Sequence, residues 1–215
     1  SPGPSQSIDD ETPMVTYASG TGPLIYWREL SDPIGRERTA PWIGVGLSGR
    51  WVTGTSKLAF VNGVPHPSGG RYQQVLVFDT ATRKLEQLTF DATEKRGVFM
   101  FEAELGGDMV FITVAARTEM RVYRLVARTL PLEPVWTLVK TIRAPDETPF
   151  IATPEPFIHN GKTYVYMTAS SSKRASDVTV PTHLALTGID PAVDDFRMLT
   201  NELSPVRLRQ APEDF

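Results

Sequence analysis

The sequence predicts an all-β fold, a β-propeller of four-stranded antiparallel blades. Three observations predict it. Apolar residues come in short runs rich in Val, Ile, Phe, Tyr and Thr, with no sustained helical period. Turn-forming residues, 18 Pro and 16 Gly, are spread along the chain and separate these runs. The strand pattern then recurs at a spacing of about 50 residues, which is the period of a propeller blade rather than of a helical repeat. One such sheet cannot bury both of its faces alone, so the blades must pack side by side around an axis.

In chain order, residues 1–12 read as a flexible leader, opening on Ser-Pro-Gly-Pro-Ser-Gln-Ser. A leader of that composition is what remains after a signal or lipoprotein segment is removed, or else it is simply a boundary of the segment. The propeller domain is expected over 13–215. A hairpin follows at 14–27. The first full blade, about 41–91, holds the strands at 57–63, 74–79 and 85–90, with a hairpin turn at 79–84. The second, about 97–143, begins with the stretch 101–115, and the third, about 148–201, with the similar stretch 154–169. Gly107 and Gly161 mark the matching turns. The final Gln-Ala-Pro-Glu-Asp-Phe at 210–215 repeats the Thr-Pro-Glu-Pro-Phe at 153–157. Two arrangements fit these ends. A fourth blade is closed by 13–31 together with 205–215, which protects the sheet edges, or the chain is part of a five-bladed or larger ring.

Charge and composition exclude several functions. The 25 acidic and 22 basic residues give a net charge of −3, with no basic cluster of the kind that grips nucleic acid. There is no cysteine, so disulfides, thiolate metal sites and a Cys nucleophile are excluded. No apolar run approaches the ~18 residues of a membrane-spanning helix. The leader points to a secreted, periplasmic or cell-surface location.

The strands at 75–79 and 85–91 resemble the repeats of TolB-type propellers. The stretch 154–166, Pro-Glu-Pro-Phe-Ile-His-Asn-Gly-Lys-Thr-Tyr-Val-Tyr, resembles a blade start in five-bladed glycoside hydrolases of the arabinanase and invertase type. The second resemblance implies hydrolysis or binding of furanosides or plant-type polysaccharides. That family uses two Asp and one Glu from successive blades. Here the corresponding positions read Glu102, Glu155 and Glu213, a departure that weighs against the enzyme reading.

These three carboxylates are the catalytic candidates. Innermost strands line the central channel of a propeller, so matched residues from different blades converge there. One carboxylic acid can then protonate a leaving oxygen while a second carboxylate activates water or attacks the sugar. Crowding raises the pKa of one of them, as a general acid needs. The structural alternative is that they satisfy backbone donors between blades. Glu155, flanked by Pro154 and Pro156, is the strongest of the three.

Ligand-binding candidates are His66, Arg71 and Tyr72 in the irregular segment 64–72, Trp42 among the aromatics, and His159 at the blade start. Lys173, Arg174 and Asp177 form a second polar insertion. Gly44, Gly46 and Gly49 spell G-x-G-x-x-G, but Arg50-Trp51-Val52-Thr53 reads as strand, whereas a dinucleotide site needs a helix there. Ser48 lacks the second glycine of a nucleophile elbow. Asp190, Asp194 and Asp195 read either as an Asp-Pro turn or as oxygen ligands for calcium, and no other cofactor is expected. Two functions follow: a non-catalytic propeller binding a carbohydrate or protein ligand, or a glycoside-hydrolase-like enzyme acting through inner-strand carboxylates.

Overall fold

The computed structural model describes residues 5–6, 14–18, 25–29, 31, 33, 38–39, 47–52, 54–103, 107–127, 134–174 and 179–200. These form four antiparallel sheets of four strands each, and no helix occurs among the described residues. Sheet one contains β1 (Ser5–Gln6), β2 (Met14–Ala18), β3 (Ile25–Glu29) and β4 (Arg38–Thr39). Sheet two contains β5 (Leu47–Trp51), β6 (Lys57–Pro65), β7 (Arg71–Asp79) and β8 (Lys84–Gln87). Sheet three contains β9 (Lys95–Glu102), β10 (Met109–Ala115), β11 (Glu119–Ala127) and β12 (Pro134–Arg143). Sheet four contains β13 (Phe150–His159), β14 (Lys162–Ser170), β15 (Thr182–Gly188) and β16 (Arg197–Met198). Within each sheet every strand pairs with the next in sequence, so each sheet is a plain meander.

Two details differ from the sequence expectation at the N-terminus. Ser5 and Gln6, expected in the leader, pair with Thr16 and Val15 as a short edge strand. Sheet one therefore has four strands drawn from the first 39 residues. The strand expected from 205–215 lies outside the described residues.

The sheets pack face to face, with the first strands adjacent: β1 and β2 lie against β5, β5 against β9, and β9 against β13. Because side chains alternate across a strand, each inner sheet feeds two cores. In β6, Leu58 and Phe60 point to sheet one and join Trp27, Trp51, Leu76 and Phe78. Ala59 and Val61 point the other way, to Val98, Met100, Phe111 and Tyr123 of sheet three. In β10, Phe111 faces sheet two, while Val110, Ile112 and Val114 face Ile151, Val165, Met167 and Ala185 of sheet four. Burial on both faces explains why these strands read as continuous apolar runs instead of apolar–polar alternation.

An ionic ladder rims the seam between sheets two and three. The Lys95 ammonium is fully buried and pairs with Asp91, and Arg121 binds the other Asp91 oxygen at 2.7 Å. Arg121 also pairs with Glu119 at 2.9 Å, and Glu119 pairs in turn with Arg143. Partial burial pushes the Asp91 carboxyl up, but the hydrogen bonds from Lys95 and Arg121 outweigh it and hold the pKa at about 2. Burial likewise raises Glu119, and Arg143 and Arg121 together bring it below the ordinary carboxylate value.

Candidate functional site

The site is built on one irregularity repeated in three first strands. In β9, Arg96 pairs with Val114 and Phe99 with Ile112, so Gly97 and Val98 together oppose one residue of β10. In β13, Ala152 pairs with Thr168 and Glu155 with Tyr166, leaving Thr153 and Pro154 as the extra pair. In β5, Leu47 pairs with Val61 and Arg50 with Ala59, leaving Ser48 and Gly49. Each is a β-bulge, a device that bends a strand and re-aims the side chains beside it. Gly97 (φ 59°) and Thr153 (φ 47°) take the left-handed conformation that the bulge requires. A threonine of the neighbouring strand grips two of the bulges: Thr113 donates to the Gly97 carbonyl at 2.7 Å, and Thr168 to the Ala152 carbonyl at 3.2 Å.

Aligning the strands on their bulges puts Arg50, Phe99 and Glu155 at one level on three successive first strands. They touch. The Arg50 guanidinium lies 4.0 Å from the centre of the Phe99 ring, and its Nη2 is 3.2 Å from Glu155 Oε1. All three line a cleft of about 360 Å³. Its floor is the start of β9 and β13, and its rim includes Arg117 from the β10–β11 hairpin and Lys173 from the loop after β14.

The rim is tied across the seam. Arg117 and the preceding Ala116 both have positive φ (66° and 50°), as a tight type I′ hairpin demands. The Arg117 carbonyl accepts from Ile151 N–H at 2.7 Å, and its guanidinium donates to the Lys173 carbonyl at 2.6 Å. Lys173 Nζ lies 5.6 Å from the Phe150 ring. Among the charged side chains of this lining, Glu155 is the one carboxylate beside Arg50, Arg96, Arg117 and Lys173.

A larger hollow of about 660 Å³ lies at the opposite end of the same seam, among Ala103, Tyr164, Gly188 and Asp195. Its two carboxylates are committed to the fold. Lys140 donates to the carbonyls of Gly188 (2.8 Å) and Val193 (2.7 Å) and pairs with Asp195, which also accepts from Gly188 N–H at 2.9 Å. Asp195 is held below the ordinary carboxylate value: partial burial raises it, but the Gly188 and Thr187 hydrogen bonds and Lys140 prevail. Asp190 accepts from Ala192 N–H at 2.9 Å, an Asx turn. The acidic run 190–195 thus serves turns and a lysine bridge. Among the described residues no group of three His, Asp or Glu side chains is placed to hold a metal ion.

The other sequence candidates scatter. Glu102 ends β9 and His159 ends β13, both at the end of their sheets away from the cleft. The His159 ring contacts its neighbour Asn160, Nε2 to Nδ2 at 3.2 Å. The expected match of Glu102 with Glu155 came from aligning Gly107 with Gly161. The turns there differ in length, a two-residue Asn160–Gly161 turn against the longer 103–108 connection, so that alignment slides the register. On the bulges Glu102 corresponds to Ile158, and Glu155 to Phe99. Glu213 and Trp42 lie outside the described residues.

His66, Arg71 and Tyr72 sit at the β6–β7 hairpin and fold back on sheet two. His66 contacts Ser68 Oγ (2.6 Å) and the Phe90 carbonyl (3.1 Å), and its ring meets Tyr72 edge-on at 5.4 Å. Arg71 donates to the Gly63 carbonyl at 2.5 Å. None of the three lines the cleft. Gly49 and Arg50 continue β5 as strand, so no helix follows the glycine motif. Sequence reasoning missed Arg50, Phe99, Arg96 and Arg117. The available signal was the Gly97 break in an otherwise apolar strand, which marks a bulge.

No family model matches the chain, and no curated protein matches it either. Solved structures do. The tricorn protease aligns over 93% of this chain and 16% of its own, at 13% identity and a TM-score of 0.54. A thermostable family-43 glycoside hydrolase aligns over 94% of this chain and 73% of its own, at 11% identity and a TM-score of 0.54. An alpha-L-arabinofuranosidase from Clostridium thermocellum aligns over 99% of this chain and 74% of its own, at 15% identity and a TM-score of 0.49. The chain thus spans a small part of the tricorn protease and about three quarters of the family-43 hydrolase. At these identities the likeness concerns the fold, which is β-propeller-like.

Proposed function

We propose that the chain is a non-catalytic, carbohydrate-binding propeller, with the sheets as blades and the first-strand cleft as its ligand site. The observation that carries this reading is the contact of Arg50, Phe99 and Glu155 at one level of three first strands. Arg50 lies over the Phe99 ring and reaches Glu155, so the cleft wall sets a guanidinium and a carboxylate beside an apolar side chain, and sugar hydroxyls need such donors and acceptors. The Arg50–Glu155 pair contributes little to folding. Its side chains are 44% and 33% exposed, and such open pairs are worth about 0.2–1 kcal/mol. The cleft volume falls at the small end of ligand pockets, which run from about 300 to 1,000 Å³. The likeness to a glycoside hydrolase fold supports a saccharide as the ligand class. A location outside the cytoplasm accords with this reading.

Hydrolysis by a carboxylate pair needs a second acid across the scissile bond. Among the described residues lining the cleft there is Glu155 alone, so binding is the reading the geometry favours. Calorimetric titration with a panel of oligosaccharides tests it, using Phe99→Ala and Glu155→Gln. Each variant should bind at least about tenfold more weakly, since losing a charge-assisted hydrogen bond, or the ring on which Arg50 rests, costs more than about 1 kcal/mol. Undiminished affinity in both variants would sink the site. Reducing sugar released by the parent protein and not by Glu155→Gln would convert the binder into a hydrolase.

A further inference from the structure

We infer that the cleft selects an acidic saccharide, one bearing the carboxylate of a uronic acid. This deepens the saccharide-binding reading and rests on it. The chain as a whole is acidic, at −3, yet four of the five charged side chains lining the cleft are cationic. An excess of one sign in a concave, partly desolvated site raises the local concentration of the opposite ion. Of these four cations, Arg50 alone pairs with a carboxylate among the described residues. Arg50 has Glu155 at 3.2 Å. Arg117 donates to a neutral carbonyl, that of Lys173. Lys173 Nζ faces the Phe150 ring. Arg96 has no carboxylate in hydrogen-bond contact among the described residues, although Glu94 attracts it from a distance. Burial, and then repulsion from Arg117, lower the Arg96 pKa, so an anion placed between these two guanidiniums would be stabilised by both.

Three of the four cations are arginines, whose planar forks match a carboxylate in two parallel hydrogen bonds. The rim that carries Arg117 is pinned to sheet four through Ile151 N–H and the Lys173 carbonyl, so the charges are positioned before the ligand arrives. Pre-positioned donors reduce the ordering cost of binding. Arg96 and Arg117 then take the carboxylate while the Arg50–Glu155 pair meets the hydroxyls.

Titration calorimetry with a galacturonate tetramer, a neutral galactose tetramer and a sulfated galactose tetramer tests this. The uronate should bind at least about tenfold more tightly than the neutral oligomer, and its affinity should fall as salt rises from about 50 to about 200 mM, because salt screens the attraction between opposite charges. Arg96→Gln and Lys173→Gln lie at exposed positions and should keep the parent melting temperature. Each should weaken the uronate by roughly three- to tenfold and the neutral oligomer by less, so that the advantage of the uronate shrinks. Equal affinity for neutral and uronate oligomers overturns the inference while leaving a saccharide site in place. Tighter binding of the sulfated oligomer overturns the choice of a planar carboxylate. Binding of none of the three overturns the saccharide reading itself.

Discussion

The seam between sheets two and three and the cleft between sheets three and four treat charge in opposite ways. Along the first, Lys95, Asp91, Arg121, Glu119 and Arg143 alternate in sign, and every member touches an opposite charge. At the second, Arg96, Arg117 and Lys173 gather beside one carboxylate that is already engaged by Arg50. The two places share strands, since β9 supplies both Lys95 and Arg96 from adjacent positions on opposite faces. One face spends its charge on holding the sheets together. The other leaves positive charge unneutralised within its lining, which is the condition for recognising something outside the chain.

The largest effect expected from breaking this contrast is in the apolar part of the seam. Phe111 is fully buried, stacks on Tyr123 at 4.5 Å and meets Trp136 edge-on at 4.9 Å. Phe111→Ala should cost about 3–5 kcal/mol, read from the shift of the urea midpoint, because the ring leaves a cavity that three strands cannot collapse. A loss under about 1 kcal/mol would mean that the seam is loosely packed.

The ionic part of the seam gives the next effect, and pH reads it. Asp91 has a folded pKa of about 2, below its unfolded value of 3.8. A depressed carboxylate contributes stability above its unfolded pKa and loses it as pH falls through the folded one. Glu119, also depressed, acts in the same direction. The melting temperature should therefore hold near neutrality and fall between about pH 4 and pH 2. Asp91→Asn should flatten that dependence and lower stability by about 2 kcal/mol at pH 7, since buried Lys95 loses its partner while Asp91 itself is partly open to solvent. An unchanged acid profile in Asp91→Asn would place the acid sensitivity elsewhere.

The sheets were legible in the sequence because two-sided burial writes itself as unbroken apolar runs. Residues 75–78 and 110–112 are such runs, and both lie between two cores. Glu155 stood out in the sequence by its flanking prolines, which read as a strand start, whereas the structure puts them inside β13 beside its bulge. The rest of the site did not stand out. Arg50, Phe99 and Glu155 differ in chemistry, so no repeat search aligns them. What they share is a position after a bulge, and a bulge is set by one backbone conformation rather than by a residue type. Gly107 and Gly161 looked like the natural anchors of the repeat, but turns tolerate changes in length that a gripped bulge does not.

The bulge also yields the smallest expected effect, and it bears on the cleft side of the comparison. β9 meets the left-handed requirement with Gly97, at φ 59°. β13 meets it with Thr153, at φ 47°, a β-branched residue in a region that L side chains avoid at a cost of about 1–2 kcal/mol. The Thr153 hydroxyl recovers part of this through Thr168 Oγ1 at 3.3 Å. A strained position that persists beside a cleft is held by its surroundings, and it fixes where the strand delivers Glu155. Thr153→Gly removes the strain and the side-chain contact together. It should raise the urea midpoint by an amount equivalent to up to about 1 kcal/mol, and weaken ligand binding through a more mobile approach to Glu155. A gain in stability with unchanged binding would show that the strain is incidental to the site. A loss of stability would show that the hydroxyl contact outweighs the backbone cost, and that β13 is held in place by Thr168 rather than strained against it.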